Sequence, residues 1–142
     1  MAPSLGRVMV VDDSKTIRDL ISMNLELEGY DVVTAANAQE CLDHLAEVAA
    51  GAASYPQLLM LDVVMPGLDG VELTARLKAT PATSGLPILI VSASAQRRDF
   101  ELARGAGADG YLTKPFSPED LLDEVARLIL TADERQIDRL PE

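Results

Sequence analysis

Asp12, Asp13, Asp62, Ser92 and Lys114 carry the groups needed to hold a divalent cation and move a phosphoryl group. Adjacent carboxylates such as Asp12 and Asp13 raise each other's cost of ionisation unless a cation neutralises them. Magnesium takes hard oxygen ligands and keeps several waters, so two or three carboxylates make a fitting partial shell. Mn²⁺, which suits similar oxygen donors, could substitute for it. Asp62 stands alone, which makes it the candidate nucleophile, because a carboxylate attacking phosphorus gives an acyl phosphate. Such a transfer is mostly positioning and neutralisation of charge spread over three phosphoryl oxygens. The metal would cover one oxygen, the Lys114 ammonium a second and the Ser92 hydroxyl a third. Ala93 is small enough to leave the group unobstructed. Taken singly, each residue has a blander reading as a helix cap, turn former, strand-end hydroxyl or surface charge.

Position is what groups them. VMVV stops at Asp12 and Asp13, LLML at Asp62, ILIV at Ser92, and the shorter GYLT at Lys114. Short runs rich in Val, Ile and Leu suit strands buried on both faces of a parallel sheet. Parallel strands expose their carboxyl ends along one edge, where ligands bind in open α/β sheets. The acidic trio, the hydroxyl and the amine are thus expected in one crevice.

Helical segments alternate with these runs, the pattern of βαβ units and an α/β fold class. Ser14 is placed to cap a helix reaching about Glu28, with Ile17, Leu20, Ile21, Asn24 and Leu27 near one face and Gly29 as its stop. DVVTA, residues 31–35, reads as a second strand. Asn37 and Glu40 resemble a capping box opening a helix to about Ala50, followed by a loop over residues 51–56. Asp69 is expected to cap a helix to about Ala79, and another spans roughly Gln96 to Ala106. Ser117 with Pro118 starts a last helix whose buried side carries Leu121, Leu122, Val125, Leu128 and Ile129. Residues 1–130 thus form one domain, and the polar segment 131–142 reads as a frayed extension or linker stub.

The composition bounds the partners. The chain has 142 residues, 48% of them hydrophobic, and a net charge of −11 from 23 acidic and 12 basic side chains. Direct nucleic-acid binding needs a basic face, so that class is disfavoured. Cys41 is the only cysteine, so no internal disulfide forms. It reads as a small apolar residue, and with His44 alone it makes a poor zinc site. No run approaches the ~20 apolar residues of a membrane span, and no signal-like segment precedes Val8, so a cytoplasmic protein without membrane contact is expected. Gly105, Gly107 and Gly110 spell GxGxxG, but they follow a helix and precede a strand, the reverse of a dinucleotide site.

VMVVDDSKTIR, LLMLDVVMPGLDG, PILIVSAS and GADGYLTKPFSPEDLL together resemble the receiver domain of two-component response regulators, over residues 6–130. The resemblance, nearest to single-domain, chemotaxis-type receivers, implies a flavodoxin-like, doubly wound (βα)5 sandwich with sheet order 2-1-3-4-5. It implies Asp62 as phosphoacceptor, and Mg²⁺ held by Asp12, Asp13, Asp62 and the Val64 backbone carbonyl. Ser92 becomes the switch hydroxyl, Tyr111 the switch aromatic, Lys114 the lysine before a cis Pro115, and Gly70 the residue that relieves a tight turn. The implied donor is a sensor histidine kinase or histidine phosphotransfer protein. A downstream protein target would read the face made by helix four, strand five and helix five. The implied catalysis is confined to the chain's own phosphorylation and dephosphorylation, not that of an enzyme with a separate substrate.

Two departures matter. Receivers that drive winged-helix DNA-binding domains typically pair an aspartate in strand five with an arginine in helix five; here Gly110 and Glu124 stand at those places. Their ion-paired dimer is thereby put in doubt, leaving a monomer or a phosphorylation-dependent homodimer. Val64, two residues after Asp62, has no group to hold an attacking water, so a long-lived acyl phosphate is expected. Competing readings are a receiver excised from a longer regulator, an aspartyl-phosphate phosphohydrolase, and a phosphorylation-free pseudo-receiver. The phosphohydrolase would need an aspartate at Val64, and the pseudo-receiver would usually have lost one of the five site residues.

Overall fold

The computed structural model describes residues 4–51 and 55–138. Ten elements alternate along them: β1 (Arg7–Val11), α1 (Lys15–Glu28), β2 (Asp31–Ala35), α2 (Ala38–Ala49), β3 (Leu58–Asp62), α3 (Gly70–Ala79), β4 (Ile88–Ser92), α4 (Arg97–Ala106), β5 (Gly110–Thr113) and α5 (Pro118–Asp138). The strands make one parallel sheet in the order β2-β1-β3-β4-β5, the expected doubly wound architecture.

Side chains in a strand alternate between faces, so an unbroken apolar run serves two cores. Met9, Val11, Leu59, Leu61, Ile88 and Ile90 face one side, where Cys41, Leu45, Leu73, Leu77 and Ala103 of α2, α3 and α4 cover them. Val8, Val10, Leu58, Met60, Leu89 and Val91 face the other, against Ile21 and Leu25 of α1 and Leu121, Val125 and Leu128 of α5. The helices begin where the caps anticipate. Ser14, Asn37, Asp69 and Ser117 each accept a bond from the backbone N–H three residues on. Gly29, at φ 118°, ends α1 in the left-handed conformation that glycine adopts without a Cβ clash. Gly107 does the same for α4 at φ 106°, so the GxGxxG run is a helix stop leading into β5.

Three expectations need correction. The inward stripe of α1 is Ile21 and Leu25 with Ile17 partly packed, while Leu20 and Leu27 are exposed. Two apolar stripes overlap in this helix, and contact with Val8, Val10 and Tyr30 selects the one through Leu25. Leu122 of α5 is only half-buried beside the core. The segment after Thr131 continues α5 to Asp138, since TADERQID contains good helix formers and neither Gly nor Pro. Residues 52–54 of the expected loop and 139–142 of the expected extension lie outside the described residues. No helix among those described is long and apolar enough to cross a membrane.

Candidate functional site

The register brings the chemistry to one edge. Val11 pairs with Leu61, so Asp12 and Asp62 take the next rung on neighbouring strands, which lie ~4.8 Å apart in any sheet. The chain runs from β1 to β2 on one side and to β3 on the other, so the crevice lies where the winding reverses. Asp62 pairs with Val91 and Ser92 with Thr113, which puts Ser92 and Lys114 at successively higher rungs of the same edge.

Asp12, Asp13 and Asp62 each offer an oxygen, and these atoms lie within 4.8 Å of one another. Asp12 and Asp62 are buried, while Asp13 is exposed at the mouth. Lys114 Nζ stands 3.2 Å from both Asp12 Oδ2 and Asp62 Oδ1. Burial, then the charge of Asp12, raises the Asp62 carboxyl above its ordinary range, against the opposing pull of Lys114. For Lys114, burial works downward, but Asp62 and Asp12 outweigh it and hold the ammonium above its usual value. Three carboxylates facing one ammonium leave an excess of negative charge, a donor set that fits a hard divalent cation.

The remaining predicted residues sit around this cluster. Ser92 is buried, and its Oγ accepts from the Ser94 N–H at 3.1 Å. The Lys114 N–H donates to the Ser92 carbonyl at 2.7 Å, and the Lys114–Pro115 bond is cis. Tyr111 donates its hydroxyl to the Ser94 carbonyl at 2.7 Å and meets the Phe100 ring edge-on, with centroids 5.6 Å apart. Val64 is 77% exposed beside the mouth. Gly70 opens α3 at the end of the loop that follows Asp62, and its φ is not positive. A Cβ there would overlap the Asp62 carbonyl oxygen, so close approach is what calls for glycine.

Residues outside the predicted set also shape the edge. Arg18 Nη1 donates to the Asp12 carbonyl at 2.6 Å. Ser94 Oγ accepts from the Gln96 N–H and donates to Asp99, tying the loop after β4 to the first turn of α4. At the opposite edge of the sheet, where β4 and β5 begin, Lys78 Nζ donates to the Leu86 carbonyl and to Asp109 Oδ2, both at 2.8 Å, and that carboxylate also accepts from the Ile88 N–H. Cys41 is fully buried, its thiol pushed up to about 12 by burial, in keeping with a packing role. His44 Nδ1 lies 4.0 Å from Glu47 on its own helix.

Comparison with known proteins places the geometry. Residues 8–126 match the response regulator receiver domain. The chain is 37% identical over 138 residues to the DNA-binding dual master transcriptional regulator RpaA of Synechocystis, covering 97% of this chain and 53% of that protein. It is 37% identical to Protein PilG of Pseudomonas aeruginosa, covering 84% of each. The chain spans about half the length of most of the curated relatives it matches, including the alkaline phosphatase synthesis regulator PhoP of Bacillus subtilis. Among solved structures, the chemotaxis protein CheY4 of Vibrio cholerae superposes with a TM-score of 0.76 at 32% identity, over 89% of this chain and 99% of that one. A CheY-like receiver domain protein from Methanospirillum hungatei gives 0.79 at 30% identity, over 93% and 99%.

Proposed function

This chain belongs to the response regulator receiver domains, a phosphoryl-accepting signalling family, and from that membership we propose the role of each residue in its pocket. Asp62 is the phosphoacceptor, supplied by a histidine kinase or histidine phosphotransfer protein. One Asp62 carboxylate oxygen attacks phosphorus, the phosphorus bond to the donor breaks, and the donor leaves with that electron pair. The observation that carries this reading is the meeting of Asp12, Asp13 and Asp62 within 4.8 Å, with Lys114 bonded to two of them.

Receiver domains bind Mg²⁺ at an acidic cluster, and here Asp12, Asp13 and Asp62, with the Val64 carbonyl, would hold it; Mn²⁺ would substitute. When bound, the ion supplies positive charge to the transferring group. Lys114 supplies more, already fixed beside Asp62. Catalysis is confined to the chain's own phosphorylation and its reversal.

The phosphorylated state acts through Ser92. Its Oγ accepts from the Ser94 N–H in the structure, which leaves its proton free for a phosphoryl oxygen, and turning toward that oxygen would pull on the Ser94 contact. Ser94 is also where Tyr111 and Asp99 attach, so the loop, β5 and α4 shift together. A downstream protein reads the resulting face of α4, β5 and α5. Glu124 on that face is paired with Arg127 of its own helix at 2.8 Å, which favours recognition by a partner over ion-paired self-association. The half-length match to transcriptional regulators favours a second reading, in which an output domain follows residue 142. The length of the native reading frame separates the two.

Incubation with Mg²⁺ and acetyl phosphate, followed by intact mass, tests the reading. One added phosphoryl group is expected, lost in Asp62→Ala and lost when EDTA is present. Equal labelling of Asp62→Ala would overturn it.

A further inference from the structure

The Asp12 carbonyl lies beyond the reach of both sheet and helix ladders. β1 ends at Val11 and α1 starts at Lys15 behind its Ser14 cap, so Asp12 belongs to the short link between them. Asp12 is only 3% exposed, and a buried carbonyl without a donor is costly. Arg18 supplies the donor from the first turn of α1, its Nη1 standing 2.6 Å from that oxygen. The Arg18 backbone N–H meanwhile donates to the Ser14 carbonyl at 2.9 Å, so one residue grips both ends of the link.

The rest of Asp12 is tied just as fully. Its N–H donates to the Ala35 carbonyl at 3.2 Å, Oδ1 accepts from the Ser14 N–H at 2.9 Å, and Oδ2 accepts from Lys114. The carbonyl held by Arg18 is part of the planar peptide unit that joins Asp12 to Asp13. The tilt of that plane therefore governs where both carboxylates project. Resting on the receiver reading above, we infer that Arg18 is a positioning residue for the divalent-cation site, holding the Asp12–Asp13 peptide plane so that both carboxylates face Asp62.

A purely electrostatic role for Arg18 has the opposite consequence. A guanidinium bonded to the Asp12 carbonyl adds positive charge near the acidic cluster and weakens its pull on a cation, so deleting the charge alone would tighten the site. Deleting a positioning contact loosens it, as loss of groups that orient metal ligands generally does.

The test is calorimetric titration of Mg²⁺ into the whole chain without any phosphodonor, alongside the metal-free thermal midpoint. Arg18→Gln is expected to weaken Mg²⁺ binding about tenfold. Arg18→Lys, which keeps a donor on a different stem, should recover part of that loss. Lys15→Gln removes the same unit charge from an exposed residue paired with Asp19, and should bind as wild type or slightly tighter. Mg²⁺ binding by Arg18→Gln that matches or exceeds wild type overturns the inference. Should Arg18→Gln fail to fold, Arg18→Lys decides: weaker binding than wild type supports positioning, and equal binding overturns it. Failure of the wild-type chain to bind Mg²⁺ would instead overturn the receiver reading, so the two failures are distinct.

Discussion

Lys114 and Asp62 meet at 3.2 Å although their strands are not neighbours, because β4 runs between β3 and β5. The lysine side chain spans that gap and places a fixed cation on a buried carboxylate. On the proposed roles, Lys114→Met would remove charge meant for a transferring phosphoryl group. It should slow phosphorylation by acetyl phosphate about 10²–10³-fold at saturating Mg²⁺. The same change removes repulsion of the metal, so Mg²⁺ affinity without donor should rise. An intact-mass time course and a Mg²⁺ titration check the two halves, and a near-wild-type rate would remove Lys114 from the chemistry.

Asp62 also makes the metal-free fold pH-dependent. Its carboxyl is held above the ordinary range, first by burial and then by Asp12, so the folded chain takes up this proton more readily than the unfolded one. The stability it contributes is full below the usual carboxylate range, ~4, and is lost as pH rises through the elevated folded value. Ionised Asp62 is therefore a burden at neutral pH. Asp62→Asn should raise the metal-free thermal midpoint at pH 7 by a few degrees, with the gain fading toward pH 4. Asp12 stays at 3.2 Å to pair Lys114 in the variant. A lower midpoint for Asp62→Asn at pH 7 would contradict the sign.

Gly70 couples the start of α3 to the carbonyl of Asp62. An added Cβ would overlap that oxygen and lie 3.1 Å from the Val63 Cα, and both obstacles are backbone. Overpacking of this kind costs about 1–3 kcal/mol. Gly70→Ala should lose that much in urea unfolding and phosphorylate more slowly, because relief requires moving Asp62. Gly85→Ala, where nothing lies within 4 Å, is the control expected to be near neutral. Equal behaviour of the two variants would show that close approach is not the constraint.

The legible and illegible parts of this molecule differ in how far their causes reach along the chain. Asp12, Asp62, Ser92 and Lys114 could be placed because each ends an apolar run, and parallel pairing carries every such end to one edge. Ser14, Asn37, Asp69 and Ser117 announce helices through bonds made three residues away. Arg18 on Asp12 was hidden because a spacing of six matches neither helix nor strand periodicity, and the contact depends on an irregular link. Lys78 and Asp109 were hidden because 31 residues separate them and only the tertiary packing of the end of α3 against the starts of β4 and β5 joins them. The inward face of α1 needed the sheet itself, since Leu20 and Leu27 fit the helical period as well as Leu25 does.

Val64 sets an expectation for the lifetime of the proposed acyl phosphate. Hydrolysis of an acyl phosphate at Asp62 needs a water held opposite the departing carboxylate, and a polar side chain near the mouth would hold it. The isopropyl group of Val64 neither donates nor accepts, and it stands exposed two residues beyond Asp62. The phosphorylated chain is therefore expected to persist for minutes or longer once donor is removed, followed by intact mass. Val64→Gln places an amide where it can orient water and should shorten that lifetime about tenfold or more. Exposure makes the substitution nearly neutral for folding, within about 0.5 kcal/mol, so a change in lifetime reports on water rather than on stability. A wild-type lifetime of seconds, or a Val64→Gln lifetime equal to wild type, would mean that water reaches the phosphoryl group by a route this side chain does not guard.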